Sequence, residues 1–512
     1  MSDRVVGTET EFGIMGQTGA QNPIQLSAVA VESFAQSVQT TQVVRWDYAG
    51  EDPLNDARGY RIERASADPS MLTDDPYHLA PSGGVEYEPR PSEYEQHMQK
   101  ATSVVLSNGA RFYVDHAHPE YSAPETTNAF DAVLYDRAGD RIAQLAMDTA
   151  RQAGTPITLY KNNTDGKGAS YGTHENYQVP RHVDFDDMVV VLIPFFVTRP
   201  VVCGAGRVGL GMHSSEAGFQ ISQRADFVEN TIGLQTTFDR PIINTRDEPH
   251  AKPSEYRRLH VINGDANQFD VSNLVKIGST ALILRVIERG VGLDLDALSL
   301  DEDPVNACWK VSHDTDLQVG LETKSGKTMT ALQLQRHYYD HACNLDDLTD
   351  ADKLVLRYWD QVLTGLETDR SSVAHLVEWV GKRALLDRAR TRLRSDWTHP
   401  QLAAMDIQWA DLRAGKSLVE KLDQAGRVKR LFTPAQVQRA TTVPPANTRA
   451  RLRGNAIAHL PTVARASWTS VLVDDRQQLV RLPLPNPNDA GSDAAIRALQ
   501  AGDAKEFIKL MS

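Results

Sequence analysis

What most constrains the folding of this chain is that its strand-like segments carry charge on one face. Side chains at i, i+2 and i+4 of a strand share a face. In GTETEFG this sets Glu9 beside Glu11. In GARFYVDHAHPEYS it aligns Arg111, Tyr113 and Asp115, while Phe112 and Val114 point the other way. Glu120 follows directly, with His116 and His118 close by. SYGTHENYQV aligns His174 with Asn176, and YRRLHVI aligns Arg258 with His260. For any one pair, or for a lone histidine such as His116 or His213, a solvated face or a structural role is explanation enough. The recurrence on separate strands points instead to a shared polar site, and the residues alone leave both readings open.

If the strands share a site, its chemistry is restricted. Carboxylates with a few imidazoles form a hard, oxygen-rich donor set suited to Mg²⁺ or Mn²⁺ rather than a zinc cage. Mg²⁺ keeps waters and takes further ligands from substrate phosphates, and arginine supplies a fork for phosphate oxygens. Such a set suits nucleotide or phosphoryl chemistry on a sheet. Other motifs fare less well. Gly204-Ala-Gly-Arg-Val-Gly fits GxGxxG, but it lacks the acidic residue and following helix of a dinucleotide fold and reads as a turn or hairpin. No GxxxxGK[ST] and no HExxH occurs.

Composition narrows the class further. With 512 residues and a formal charge of −13, the chain is long enough for a large core and too acidic for nonspecific binding to nucleic acid or anionic membrane. Its three cysteines, Cys203, Cys308 and Cys343, lack CxxC spacing, which argues against a disulfide framework and fits a reducing cytoplasm. The N-terminal residues reach acidic side chains before any apolar run, so no signal peptide is expected. The longest apolar stretch, Met188 to Val197, falls far short of the roughly 20 residues a membrane span needs.

Along the chain, β-like runs are expected at Arg4–Met15, Gly109–His118, Thr158–Asn162, Met188–Val197 and Arg258–Asn263. The second half reads as helical, with Val373, Leu376, Val377 and Val380 at helical spacing behind a possible Ser371-Ser372 cap. Residues 47–99 form a polar, aperiodic stretch of the kind that makes a lid or binding loop. A break near Val443-Pro-Pro suggests a large domain over 1–430 and a small one over 431–512.

GTETEFG, NGARFYVDHAHPEYSAPE, LYKNNTDGKGASYGTHENY, INTRDEPHA, YRRLHVINGDAN and PPANTRARLRG together resemble the Pup ligase and depupylase family, within the carboxylate–amine ligase superfamily related to glutamine synthetase. The resemblance runs over nearly the whole chain. Two details favour the depupylase branch. The ligase motif resembles LDVGSHPEYATAE, with one more residue between Asp and Glu than in YVDHAHPEYSAPE. The 106 positions from Glu9 to Asp115 also leave room for the depupylase's extra loop, which 47–99 resembles.

The resemblance implies an α+β, glutamine synthetase-like fold: a curved, mostly antiparallel sheet cradling ATP and Mg²⁺, packed by helices, plus a small C-terminal domain. It implies a cytoplasmic enzyme that hydrolyses the isopeptide bond between the C-terminal side-chain carboxyl of Pup and a substrate lysine, and deamidates a C-terminal Gln of Pup where present. ATP would be required without being consumed in each turnover. The partners implied are Pup, pupylated proteins and, functionally, the bacterial proteasome and its ATPase. Asp115 matches the nucleophile or base. Glu9, Tyr113 and Glu120 match magnesium ligands, with Glu11, His174 and His260 as further ligands. Arg111 and Trp468 match nucleotide contacts, and Arg224, Arg246 and Arg258 are candidate phosphate or oxyanion stabilisers. The basic stretch 382–394 is a candidate wall of the Pup groove. Ala123 departs from the ligase pattern, which has Thr there, so a hydroxyl contact from that position is not expected. The alternatives are a Pup–protein ligase, a non-catalytic nucleotide-binding regulator, and a ligase for a small carboxylate and amine.

Overall fold

In the computed structural model, which describes residues 4–17, 21–38, 44–72, 81, 83–90, 102–290 and 292–512, the polar-faced segments become neighbours in one eight-stranded sheet. Its order is Asn230–Gly233, Pro241–Asn244, Tyr256–Val261, Thr173–Pro180, Val6–Glu11, His118–Ser122, Arg111–Asp115 and Ser103–Val105. Only the first pairing is parallel; the other six are antiparallel. Register settles which residues share a face. Glu9 lies opposite both His174 and Ser122, Glu11 and Tyr113 opposite Glu120, and His260 opposite Asn176.

The other face is packed. Phe112 and Tyr121 sit under helices Pro23–Ser37 and Ala129–Gln152, and Tyr177, Val179, Leu259 and Val261 join the larger core under helices Phe185–Thr198 and Asp270–Glu288. Polar clamps within this packed side fix the register. The Thr10 hydroxyl, between the two glutamates in sequence, donates to Asp136 Oδ1 at 3.3 Å, and the Lys161 ammonium meets Asp136 at 2.7 Å and Asp140 at 3.0 Å. Glu175, next to His174, takes both Arg199 Nη groups at 2.8 Å. A slip of one residue would put these charges in the cavity and the glutamates in the core.

Four of the five expected β-like runs contain strands, but Met188–Val197 does not. It lies within helix Phe185–Thr198, capped by the Asp184 carboxylate on the Asp186 and Asp187 amides. A continuous apolar run suits a helix buried on most sides as well as a strand, and only the cap distinguishes them. The expected helix through Val373–Val380 is also corrected. Arg370–Val373 is a 3₁₀ turn headed by Asp369, and the α-helix Glu378–Leu393 starts only after Val377. Tertiary partners take the amides at the break: Glu378 N donates to Ser272 Oγ and Trp379 N to Gly204 O. The four apolar residues are nonetheless buried as their spacing implied. The glycine-rich 204–211 segment leads through the hairpin Arg207–Leu210 and Glu216–Gln220, as read from sequence.

A second sheet has the order Arg45–Trp46, Val463–Ala466, Ser470–Asp474, Leu479–Pro483, Glu86–Glu88. Its edges thus come from just before the 47–99 segment and from within it. Ion pairs of Arg481 with Asp47, Glu86 and Glu88 fasten both. Residues 47–72, 81 and 83–90 of that segment are described; the expectation of a mobile loop otherwise falls outside the described residues. Phe432 and Val437 pack in the larger core and Ala440 in the second. No described helix is long and apolar enough to cross a membrane.

Candidate active site

The polar face floors a cavity of about 420 Å³. All twelve residues singled out from the sequence line it: Glu9, Glu11, Arg111, Tyr113, Asp115, Glu120, His174, Arg224, Arg246, Arg258, His260 and Trp468.

Two ligand-like groups stand side by side. In the first, atoms of Glu9, His174 and His260 lie within 4.8 Å of one another, and in the second those of Glu11, Asp115 and Glu120 do. His174 Nδ1 is 3.0 Å from Glu9 Oε2, and the Asn176 amide donates to Glu9 Oε1 at 3.0 Å. His260 is buried with neither ring nitrogen hydrogen-bonded among the described residues. In the second group, burial and the crowding of Asp115, Glu9 and Glu11 push the Glu120 carboxyl well above its ordinary range. Burial also pushes Asp115 up, but its 3.0 Å hydrogen bond from His116 and the charge of that ring bring it below the usual value. Four converging carboxylates and a buried imidazole without a hydrogen bond among the described residues, its Nε2 3.9 Å from Glu9 Oε2, fit a hard divalent cation, which would relieve the repulsion and engage that nitrogen. The Tyr113 hydroxyl donates to Glu120 Oε1 at 2.7 Å, so it meets the second group through a carboxylate.

Cations close the basin. Arg111 is boxed by Trp46, Tyr48 and Tyr113, with ring centroids 4.2, 5.4 and 3.8 Å from its guanidinium carbon, and faces Glu51 at 3.6 Å. Arg246 and Arg258 converge on Glu248 Oε2 at 3.1 and 3.5 Å. Arg224 donates to Ser170 Oγ and to the carbonyls of Tyr171 and Ile262. Burial and neighbouring Arg240 pull its guanidinium down to about 9, so this pair favours an anion between them. Trp468, its ring 5.0 Å from Trp46, lines both this basin and an adjoining, mostly apolar chamber with Val5, Ala123, Tyr177 and Pro487.

Sequence reasoning missed Glu51, Arg240, Glu248 and His250 as wall residues. Glu248 and His250 stood in the INTRDEPHA motif, a usable signal. Glu51 and Arg240 belong to aperiodic segments and carried none. The stretch 382–394, expected as a basic wall, exposes Arg388, Arg392 and Arg394. Lys382 is buried, donating to Gly206 O and paired with Asp406, and Arg390 is tied to Asp387 and stacked on Trp397.

A mostly antiparallel sheet packed by helices, its open face carrying carboxylates, imidazoles and arginines, defines an α+β scaffold of the glutamine synthetase-like kind. The model of the Pup-ligase protein family matches residues 4–472. The chain is 44% identical over 500 residues to the depupylase of Acidothermus cellulolyticus, covering 94% of each. It is 43% identical over 508 residues to the Pup deamidase/depupylase of Mycolicibacterium smegmatis, covering 97% of this chain and 96% of that one. Among solved structures, the Pup ligase PafA in complex with Pup aligns at 29% identity and a TM-score of 0.76 over 99% of this chain and 92% of that one. PafA in complex with ADP aligns at 32% and 0.71 over 88% of this chain and 99% of that one. The chain belongs to the Pup-ligase family.

Proposed function

We propose that this chain is a cytoplasmic depupylase and Pup deamidase. It hydrolyses the isopeptide bond between the C-terminal side-chain carboxyl of Pup and a substrate lysine, and converts a C-terminal Gln of Pup to Glu where one is present. The observation that carries the reading is the identity of 43–44% to relatives named depupylase, over nearly the whole chain, against 29–32% to the ligase structures. In this reading residues 1–430 are the catalytic body with the 47–99 insertion, and 431–512 the small C-terminal unit. Release of intact targets links the enzyme to the bacterial proteasome and its ATPase.

Placement supports the following residue roles. Asp115, at the end of its strand and beside Glu11 and Glu120, supplies the attacking carboxylate or the base for water. Arg224 and Arg240 face the cavity with no carboxylate bonded to either among the described residues, and they take the phosphate or the developing oxyanion. Arg246 and Arg258, braced by Glu248, assist. The apolar chamber beside Trp468 holds the adenine of ATP, and Arg111, clamped between aromatic rings, contacts the nucleotide. Glu9, Glu11, Glu120, His174 and His260 hold Mg²⁺, with Tyr113 in contact with Glu120. When bound, the metal offsets phosphate charge and acts as a Lewis acid.

The test is a gel-shift assay with a purified Pup–protein conjugate, Mg²⁺ and ATP, comparing the wild type with Asp115→Asn. Free Pup and intact target from the wild type alone are expected. New conjugates from Glu-ended Pup and target, without release, would mark a ligase, and inertness in both directions a nucleotide-binding regulator.

A further inference from the structure

The apolar chamber and the polar basin meet along one seam, and Glu9, Ser122, His250, Arg258 and Trp468 line both. A nucleotide laid across the seam has its base in the chamber, its phosphates among the arginines and carboxylates, and its ribose at the junction. Most polar groups on the seam are engaged. Glu9 holds His174 and Asn176, Ser122 Oγ donates to Glu120 at 3.1 Å, and Arg258 reaches Asn176 and Glu248. His250 differs. Its carbonyl accepts from Arg449 at 2.7 Å, but neither ring nitrogen is hydrogen-bonded among the described residues.

Two further observations bear on it. The backbone of His250 is left-handed, at φ 46°, an uncommon conformation for a residue other than glycine and one that tends to be kept where a site demands it. Burial, aided by Arg258 and Arg449, holds the ring down to about 4, so near neutrality it is an uncharged imidazole with one donor and one acceptor. That pair of functions suits a hydroxyl better than a phosphate.

We propose that His250 is the residue that hydrogen-bonds a ribose hydroxyl of the bound nucleotide and makes the site select ribo- over deoxyribonucleotide. This rests on the nucleotide reading of the cavity. His250 is then a specificity-determining contact, distinct from the arginines that grip the phosphates.

The experiment is calorimetric titration of the full chain, with Mg²⁺, using ADP, 2′-deoxy-ADP and 3′-deoxy-ADP. It compares the wild type with His250→Gly, chosen because glycine takes the left-handed backbone without strain. His250→Ala, which likewise carries no polar side-chain atom, is run in parallel to cover a folding failure of the first variant. The wild type should bind ADP about tenfold more tightly than one of the two analogues, and the variants should bind ADP and that analogue within about twofold of each other. A variant that keeps the wild-type ratio, or a wild type that ignores both hydroxyls, overturns the proposal while leaving nucleotide binding intact. A wild type that binds no ADP overturns the nucleotide reading, and the proposal with it.

Discussion

Glu125 offers a sharp test of how helix Ala450–His459 is held to the site. Its carboxylate is buried and accepts from Arg449 Nε at 2.6 Å, Arg453 Nη1 at 3.2 Å and Arg453 Nη2, while Arg453 is fully buried. Glu125→Gln keeps the volume but leaves two buried guanidinium groups without their anion. Breaking a buried pair in this way costs about 3–5 kcal/mol. The lower end applies, because Arg453 keeps the carbonyls of Gly109 and Trp468, and Arg449 those of His250 and Leu484. The titration of the carboxyl agrees in size. It is held at about 2 when folded against an ordinary 4.5, which corresponds to about 3 kcal/mol. Because the folded value is depressed, that stability is present above pH 4.5 and lost as pH falls towards 2. Hydrogen exchange at pH 7 should therefore show the amides of 470–474 and 479–483 exchanging about a hundredfold faster in Glu125→Gln. The stability gap between variant and wild type should close as pH drops below 4.5. Wild-type exchange rates in those strands would refute the argument.

Two further perturbations probe the sheet. Glu120→Gln removes one ligand carboxylate from the Glu11, Asp115 and Glu120 group and leaves the Glu9, His174 and His260 group with all its side chains. A manganese titration followed by electron paramagnetic resonance should lose one of two ions in the variant, at least tenfold in affinity, whereas two unchanged ions would exclude the second group as a site. Gly139→Ala puts a methyl 2.4 Å from the Tyr121 ring, where helix Ala129–Gln152 presses on the sheet. Overpacking of this kind costs about 1–3 kcal/mol, and an unaltered melting temperature by calorimetry would contradict the packing described.

Much of the site was legible because strand alternation is a local rule. Glu9 with Glu11, Arg111 with Tyr113 and Asp115, and His174 with Asn176 each follow from spacing of two, and their strands lie in one sheet, with His118–Ser122 between Val6–Glu11 and Arg111–Asp115. The rule says nothing about which segments without periodicity complete the walls, so Glu51 and Arg240 went unread. It also fails where burial surrounds an element. Met188–Val197 is apolar on most sides and gives no period, so the Asp184 cap carried the only information separating helix from strand. The two edge strands of the C-terminal sheet are two and three residues long, with partners several hundred positions away. No short-range signal marks them, because their pairing is decided by Arg481 and its three carboxylates.

That last arrangement sets a clock on the molecule. Asp47 and Arg481 are 434 residues apart in the chain. At about 5–20 residues per second on the ribosome, the flanks of the insertion wait roughly 20 to 90 seconds for the strands that receive them. Through that interval Trp46 and Glu51, which face Arg111, lack the strand Val463–Ala466 with which Arg45–Trp46 pairs. The wall around Arg111 is thus among the last parts to form, and a half-made chain lacks the finished site with which to act on conjugates around it.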